Sequence, residues 1–289
     1  MTPSRSGFLD IRGIRLHLRE WGDPGAPLLV LLHGWMDVSA SFQFLVDALT
    51  HPWCVAAPDW RGFGLSGRNP DAYWFPDYVA DLDLLLEHLS PGEPVNLAGH
   101  SLGGNVACIY AGVRPERVRK VATLEGFGIP RTDPAQAPAR YAQWLRELRS
   151  PPETRRYPSF EALARRLHKQ DHRLSAERAL FVARHWARET ESGEVELLGH
   201  RTHKLANPVL YRLEESLACW RSIRAPALWV EGADTDIRDW INDTPEQWAE
   251  RKASFARLKQ VVIPGAGHMV HHDQPEAVAA ALETFLREA

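Results

Sequence analysis

The 289-residue chain is poor in cysteine: Cys54, Cys108 and Cys219 are the whole set. An odd number at these separations makes neither a disulfide framework nor a zinc-type cluster. Cys54 and Cys108 lie in apolar runs and are expected to be buried thiols. No apolar run reaches membrane-spanning length, and the amino terminus lacks the charged-then-apolar pattern of a signal peptide, so a reducing cytoplasm is the expected setting. Charge of one sign is scarce too. A net charge of −3 excludes an electrostatic case for nucleic acid or an acidic membrane surface as partner. Internal repeats and low-complexity tracts are also lacking, which excludes solenoids and disordered linkers.

What is present reads as a soluble globular enzyme, with 44% hydrophobic and 25% charged residues. The length suffices for one large or two smaller domains with a sizeable core. Charge is unevenly placed: residues 131–221 carry 17 Lys and Arg against 12 Asp and Glu, and the remainder is acidic. Solvated helix faces account for this balance, and a basic insert also hints at an anionic leaving group such as coenzyme A.

Alternation around Gly13 predicts an antiparallel hairpin from Phe8 to Glu20. Leu28 to Leu32 is wholly apolar, as a parallel strand buried on both faces should be. Ser41 to Leu49 reads as a helix, Trp53 to Ala57 as a strand, and Tyr78 to Leu89 as a helix with apolar spacing on one side. Then Val95 to Leu97 runs into Gly99-His100-Ser101-Leu102-Gly103-Gly104, followed by a helix from Asn105 to Arg114. Val118 to Leu124 is another buried strand, ending at Glu125-Gly126-Phe127-Gly128.

From Pro130 to about Trp220 the strand–helix rhythm stops, and four helices are expected: Pro134–Leu148, Ser159–Lys169, Ser175–Glu189 and Leu210–Trp220. The rhythm returns with a strand at Ala227–Glu231, a helix at Pro245–Leu258, a strand at Gln260–Ile263 and a last helix at Pro275–Arg287. Residues 1–130 and 221–289 therefore form a core domain of mostly parallel, doubly wound sheet, and residues 131–220 a helical cap. Ligands on such sheets bind at the carboxyl ends of strands. His33-Gly34-Trp35, Ser101, Glu125 and Asp234 all fall at such ends, which argues for one site.

Ser101 sits at a strand–turn–helix apex whose small neighbours tolerate a strained serine backbone. The G-x-S-x-G pattern with flanking strand and helix points to a nucleophile. A hydroxyl needs a base, and His268 in Pro264-Gly265-Ala266-Gly267-His268 supplies one; free imidazole, with a pKa of about 6.5, is the side chain suited to proton transfer at neutral pH. His271 and His272 lack a supporting carboxylate or cysteine pattern for a metal, so they read as loop-surface or helix-cap residues, and His100 as structural. No metal and no cofactor is expected.

Together, H-G-W after the third strand, D-W-R-G-F-G-L-S after the fourth, G-H-S-L-G-G after the fifth and G-A-G-H before the last helix resemble the α/β-hydrolase fold family over nearly the whole chain. Through L-H-G-W-M-D-x-x-x-S-F and L-E-G-F-G the chain is similar to the serine-hydrolase-like branch. The resemblance implies a mostly parallel sheet with a cap, or lid, inserted after the sixth strand, and a Ser–His–acid triad.

The acid is open between two candidates. Many relatives carry it at the third position past the glycine of Gly232-Ala233-Asp234-Thr235-Asp236, where this chain has Thr235; Asp234 serves if the turn shifts by one, with Asp236 behind it. Glu125 is the rival, at the strand end where haloalkane dehalogenases and related luciferases carry theirs. A carboxylate ending an apolar run is costly unless paired, and His268 would be the partner. Backbone amides of Leu102 and Trp35 are the expected oxyanion hole. Trp35, Phe127 and Trp144 are the expected pocket wall, drawn from a wider set of Phe42, Trp60, Phe63, Phe181, Trp186 and Trp240.

These readings converge on a cofactor-free serine hydrolase cleaving a small-molecule carboxylic ester or thioester through an acyl-enzyme. The same residues serve carbon–carbon bond hydrolysis or cofactor-free perhydrolysis, and a binding protein that keeps the triad with little turnover is the non-enzymatic alternative. Acyl length, physiological substrate and oligomeric state are not written in the sequence.

Overall fold

The computed structural model describes residues 1–69 and 71–288. The strands are β1 (Ser4–Ile11), β2 (Ile14–Trp21), β3 (Leu28–Leu32), β4 (Cys54–Pro58), β5 (Val95–His100), β6 (Val118–Leu124), β7 (Arg156–Tyr157), β8 (Ala187–Glu189), β9 (Val195–Leu197), β10 (Ala227–Gly232) and β11 (Leu258–Ile263). Eight of them form one sheet in the order β1-β2-β4-β3-β5-β6-β10-β11. The β1–β2 and β2–β4 pairs are antiparallel and all other neighbours are parallel. Every residue of β5 and β10 is buried, because helices cover both faces of the sheet.

The helices are α1 (Gln43–Ala48), α2 (Phe75–Leu89), α3 (Leu102–Val113), α4 (Ala137–Arg149), α5 (Phe160–Gln170), α6 (Ala176–Trp186), α7 (Leu213–Arg221), α8 (Ile237–Ile241), α9 (Pro245–Ala253), α10 (Val270–Asp273) and α11 (Pro275–Arg287). Side chains of one strand point alternately to two cores. Val30 and Leu32 join Leu82 and Leu86 of α2, Val106 and Tyr110 of α3, and Trp220 of α7. Leu29 and Leu31 join Leu45 of α1 and Val278, Leu282 and Phe285 of α11. Helix α2 starts three residues before the expected Tyr78, since Pro76 in the first turn is pre-set for helix and has no amide hydrogen to leave unpaired. Among the described residues no helix is long and apolar enough to cross a membrane.

Residues 131–220 add no strand to the large sheet. This segment departs from the all-helical expectation, because it contains a three-stranded antiparallel sheet, β7-β9-β8. The expected helix to Glu189 ends at Trp186, and Ala187–Glu189 turn instead into a hairpin. Gly193, at a φ of 78°, supplies the left-handed residue that this turn requires. Arg188 then pairs with its cross-strand partner Glu196 at 2.7 Å. The segment has its own apolar cluster of Tyr157, Leu163, Leu174, Val182 and Val195, into which Phe44 of α1 inserts.

Where the chain leaves β6 it is held by Arg251, whose side chain is fully buried. Its guanidinium pairs with Asp243 and donates to the carbonyls of Phe127 at 2.9 Å and Ile129 at 3.0 Å. At the opposite edge, Glu283 of α11 accepts from Thr50 N at 3.0 Å, Thr50 Oγ1 at 2.7 Å, His51 N at 2.8 Å and Trp53 Nε1 at 3.1 Å. Burial alone would raise the Glu283 pKa, but the donors from Thr50, His51 and Trp53 outweigh it and hold the carboxyl at about 2. Glu283→Ala leaves those donors unpaired and should cost about 2 kcal/mol at neutral pH. Because the folded pKa is depressed from 4.5 to about 2, the wild-type advantage is full above 4.5 and fades as pH falls toward 2. Urea unfolding of both proteins at pH 7 and in that acidic window checks this.

Candidate active site

The serine at the start of α3 has a φ of 49° and a ψ of −115°, outside the regions an ordinary residue occupies. Two close approaches hold it there. A Cβ on Gly103 would overlap the carbonyl of Leu32, so α3 packs directly on the β3 backbone. A Cβ on Gly34 would come within 2.8 Å of His100 Nδ1 and 3.3 Å of Ser101 Cβ, so the loop after β3 passes against the serine. The Ser101 amide is fixed by donating to Leu124 O at 2.9 Å.

His268 reaches Ser101 Oγ with Nε2 at 3.1 Å and Glu125 Oε2 with Nδ1 at 3.3 Å. The imidazole is partly open to solvent, whereas the Glu125 side chain is wholly buried. That burial is compensated by donors from the end of β10 and the loop that follows it. Gly232 N donates to Oε1 at 2.6 Å, and Thr235 Oγ1 donates to Oε2 at 2.6 Å. Glu125 itself takes a φ of 57°, so it joins Ser101 and Met36 as non-glycine residues in left-handed backbone around the site. Strain in these residues is set against the fixed aim of their side chains.

The other acid candidates lie elsewhere. Asp234 is about half exposed and forms an ion pair with Arg173 of the 131–220 segment at 2.9 Å. The Gly232–Thr235 turn directs its Thr235 hydroxyl, and not Asp234, toward the histidine's carboxylate partner. Asp236 occupies the position before α8 and makes no capping hydrogen bond with its side chain.

A cavity of about 90 Å³ lies against the start of α3, lined by both Trp35 and Leu102, the residues expected to supply oxyanion amides; Ser101, His268 and Glu125 are not in its lining. Trp144 of α4 also lines it, together with Tyr73, Trp74, Phe75, Tyr78 and Tyr211. Phe127, expected here, is instead buried under the sheet. Its ring stacks on Trp229 at 4.4 Å and meets Trp248 edge-on at 5.3 Å. Arg251 holds its carbonyl, so it is a core residue. Phe42, Trp60 and Phe63 are buried likewise, and Trp240 is exposed. Sequence reasoning passed over the Tyr73-Trp74-Phe75 run, whose three consecutive aromatics just before a helix were the available signal.

The histidines around the site are neutral by burial. His203 stacks between Phe63 at 3.8 Å and Tyr73 at 3.7 Å, and burial, with His200 nearby, lowers its pKa to about 3. His33 is brought to about 4 by burial; its Nδ1 donates to Gly34 O at 2.7 Å while Nε2 accepts from Trp60 N at 2.9 Å. His271 and His272, expected at the surface or on a cap, are both buried, because α10 packs against α1 and the 39–42 turn. Burial lowers His271 well below its usual value and His272 to about 4. His100 is also buried, and its Nε2 donates to His268 O at 2.8 Å.

A family model described as alpha/beta hydrolase fold matches residues 27–275. A serine hydrolase-like protein of Danio rerio is 27% identical over 281 residues, which covers 92% of this chain and 83% of the relative. The 2-(acetamidomethylene)succinate hydrolase of Mesorhizobium japonicum is 26% identical over 282 residues, covering 96% of this chain and 94% of that protein. Among solved structures, the thioesterase domain from the curacin biosynthetic pathway superposes with a TM-score of 0.84, covering 97% of this chain and 99% of its own at 24% identity; that likeness concerns the fold.

The backbone at Ser101 yields a stability test. Ala normally exceeds Gly in stability, but at a φ of 49° the Cβ is strained. Ser101→Gly should therefore be more stable than Ser101→Ala by about 1 kcal/mol, read from chemical unfolding of the two variants.

Proposed function

Because the chain belongs to the α/β-hydrolase fold family, we propose that it is a serine hydrolase that cleaves a carboxylic ester or thioester through an acyl-enzyme on Ser101. The observation that carries this reading is the unbroken row from Ser101 Oγ through His268 to Glu125, with contacts of 3.1 and 3.3 Å. His268 Nε2 accepts the serine proton as Oγ attacks the carbonyl carbon, then returns it to the leaving group. Glu125 accepts from Nδ1–H, which keeps the ring in the right tautomer and stabilises the imidazolium. The amides of Leu102, among the unpaired first amides of α3, and of Trp35 hold the oxyanion. Water, deprotonated by the same histidine, releases the acid product.

Residues 131–220 act as a cap in this reading, since Trp144 and Tyr211 from that segment line the cavity with Trp35 and Tyr73 from the body. None of the lining residues is an Asp, Glu, Lys or Arg. A carboxylate transferred into such a cavity would lose hydration with no cation to replace it. In this reading the acyl group is uncharged and compact, to match the lining of the cavity beside Leu102. The succinate skeleton in the name of the Mesorhizobium relative is the opposite case.

Hydrolysis of p-nitrophenyl esters from acetate to dodecanoate tests the mechanism. Ser101→Ala should lose about a thousandfold or more in kcat and Glu125→Gln at least ~100-fold. Asp234→Asn, which breaks only an exposed ion pair, should stay within about threefold. A wild type that turns over no ester and refuses a fluorophosphonate label would replace the enzyme with a binding protein. The same series tests the substrate class: kcat/KM should fall at least ~10-fold from butyrate to dodecanoate. A hemisuccinate ester, with its acyl carboxylate, should be poorer than the butyrate. Preference for either the long chain or the hemisuccinate would reject the neutral, compact acyl group.

A further inference from the structure

Behind His268, three side chains from separate elements turn polar atoms toward one point. Asp37 comes from the loop after β3, His100 ends β5, and His271 lies in α10. All three are buried, and their ligand-type atoms lie within 4.8 Å of one another. Asp37 Oδ2, His100 Nδ1 and both ring nitrogens of His271 have no hydrogen-bond partner among the described residues. Leaving four such buried atoms unpaired is costly, so the cluster calls for an explanation.

Internal hydrogen bonds do not provide one. His100 Nε2 sits 2.8 Å from the carbonyl oxygen of His268, which can only accept. Its proton is thus on Nε2, and Nδ1 presents a lone pair. Asp37 Oδ1 is already filled by Val38 N at 2.8 Å, Trp186 Nε1 at 2.8 Å and the Ser41 hydroxyl, while Oδ2 is left without a partner. His271 Nε2 lies 3.9 Å from Asp37 Oδ2, beyond hydrogen-bond range. That separation is close to what two ligands on one ion show, since metal–ligand bonds of ~2.1 Å at tetrahedral angles set donors about 3.4 Å apart.

We propose that Asp37, His100 and His271 form a site for one divalent transition-metal ion of the Zn²⁺ class, structural and separate from the Ser101 row. Two imidazole nitrogens and one carboxylate oxygen are a donor set that zinc and cobalt accept readily. The second shell is in place: His100 Nε2–H is oriented by the His268 carbonyl, and Asp37 Oδ1 by its three donors. The ion would tie the loop after β3, the end of β5 and α10 together beneath the catalytic histidine. Trp186 of the 131–220 segment covers Asp37, so the ion enters as the chain folds and not by diffusion into the finished protein.

The test is full-length protein expressed with Zn²⁺ in the medium, desalted, and assayed for metal by mass spectrometry. About one zinc per chain is expected, falling at least ~5-fold in His271→Gln and in Asp37→Asn, and unchanged in His268→Gln. Refolding with Co²⁺ should give the visible absorption of a low-coordinate cobalt site in wild type and not in His271→Gln. Should those variants fail to fold, anomalous diffraction at the zinc edge from wild-type crystals decides: a peak between the three side chains supports the site. Wild type below about one zinc per ten chains, zinc retained by His271→Gln, zinc lost with His268→Gln, or a water at that position would each overturn it.

Discussion

A carboxylate at the end of an apolar strand can stay buried only if hydrogen bonds replace its hydration, and Glu125 meets that condition. Gly232 at the end of β10, Thr235 from the loop after it and His268 from the loop after β11 all converge on its two oxygens. This one side chain therefore ties three strand ends together. It also fixes the distance at which the histidine stands from Ser101.

The second constraint is steric. The sheet and α3 meet with no side chain between Gly103 and the β3 backbone, and that contact leaves Ser101 raised in a conformation that few residues adopt. Packing on both faces of the sheet sustains this strain, because the buried side chains of β3 and β5 alternate between two cores. The loops after β3, β5, β6, β10 and β11 are free of that packing and can differ in chemistry. The 131–220 segment contributes Trp144, Leu205 and Tyr211 to the cavity beside Leu102, and no Asp, Glu, Lys or Arg.

The alternation of apolar strands with helices, the apex at Ser101 and the position of His268 were legible in the sequence because each rests on local pattern: runs of one period, small residues at a turn, a Gly-rich loop before a final helix. The interior of the 131–220 segment was less so. Its Thr190–Gly193 turn is written plainly, but the preceding helical spacing carried the reading past Trp186. Phe127 looked like a pocket residue from its place just past a strand end, and its partners, Trp229 and Trp248, are about a hundred residues away. The buried state of His271 and His272 was likewise invisible, since it depends on how α10 meets α1.

By itself the sequence determined the doubly wound sheet and the family to which the chain belongs, through hydrophobic period and through motifs at strand ends. It also determined which side chains were candidates for chemistry. Only the tertiary structure sets Glu125, and not Asp234, against His268. Both stand at strand ends with equal claim in one dimension. In three, one is buried against His268 and the other faces solvent with Arg173. The physical reason is that a local pattern reports which face of the chain is buried, whereas the partner of a buried charge is set by loops that meet across more than a hundred residues.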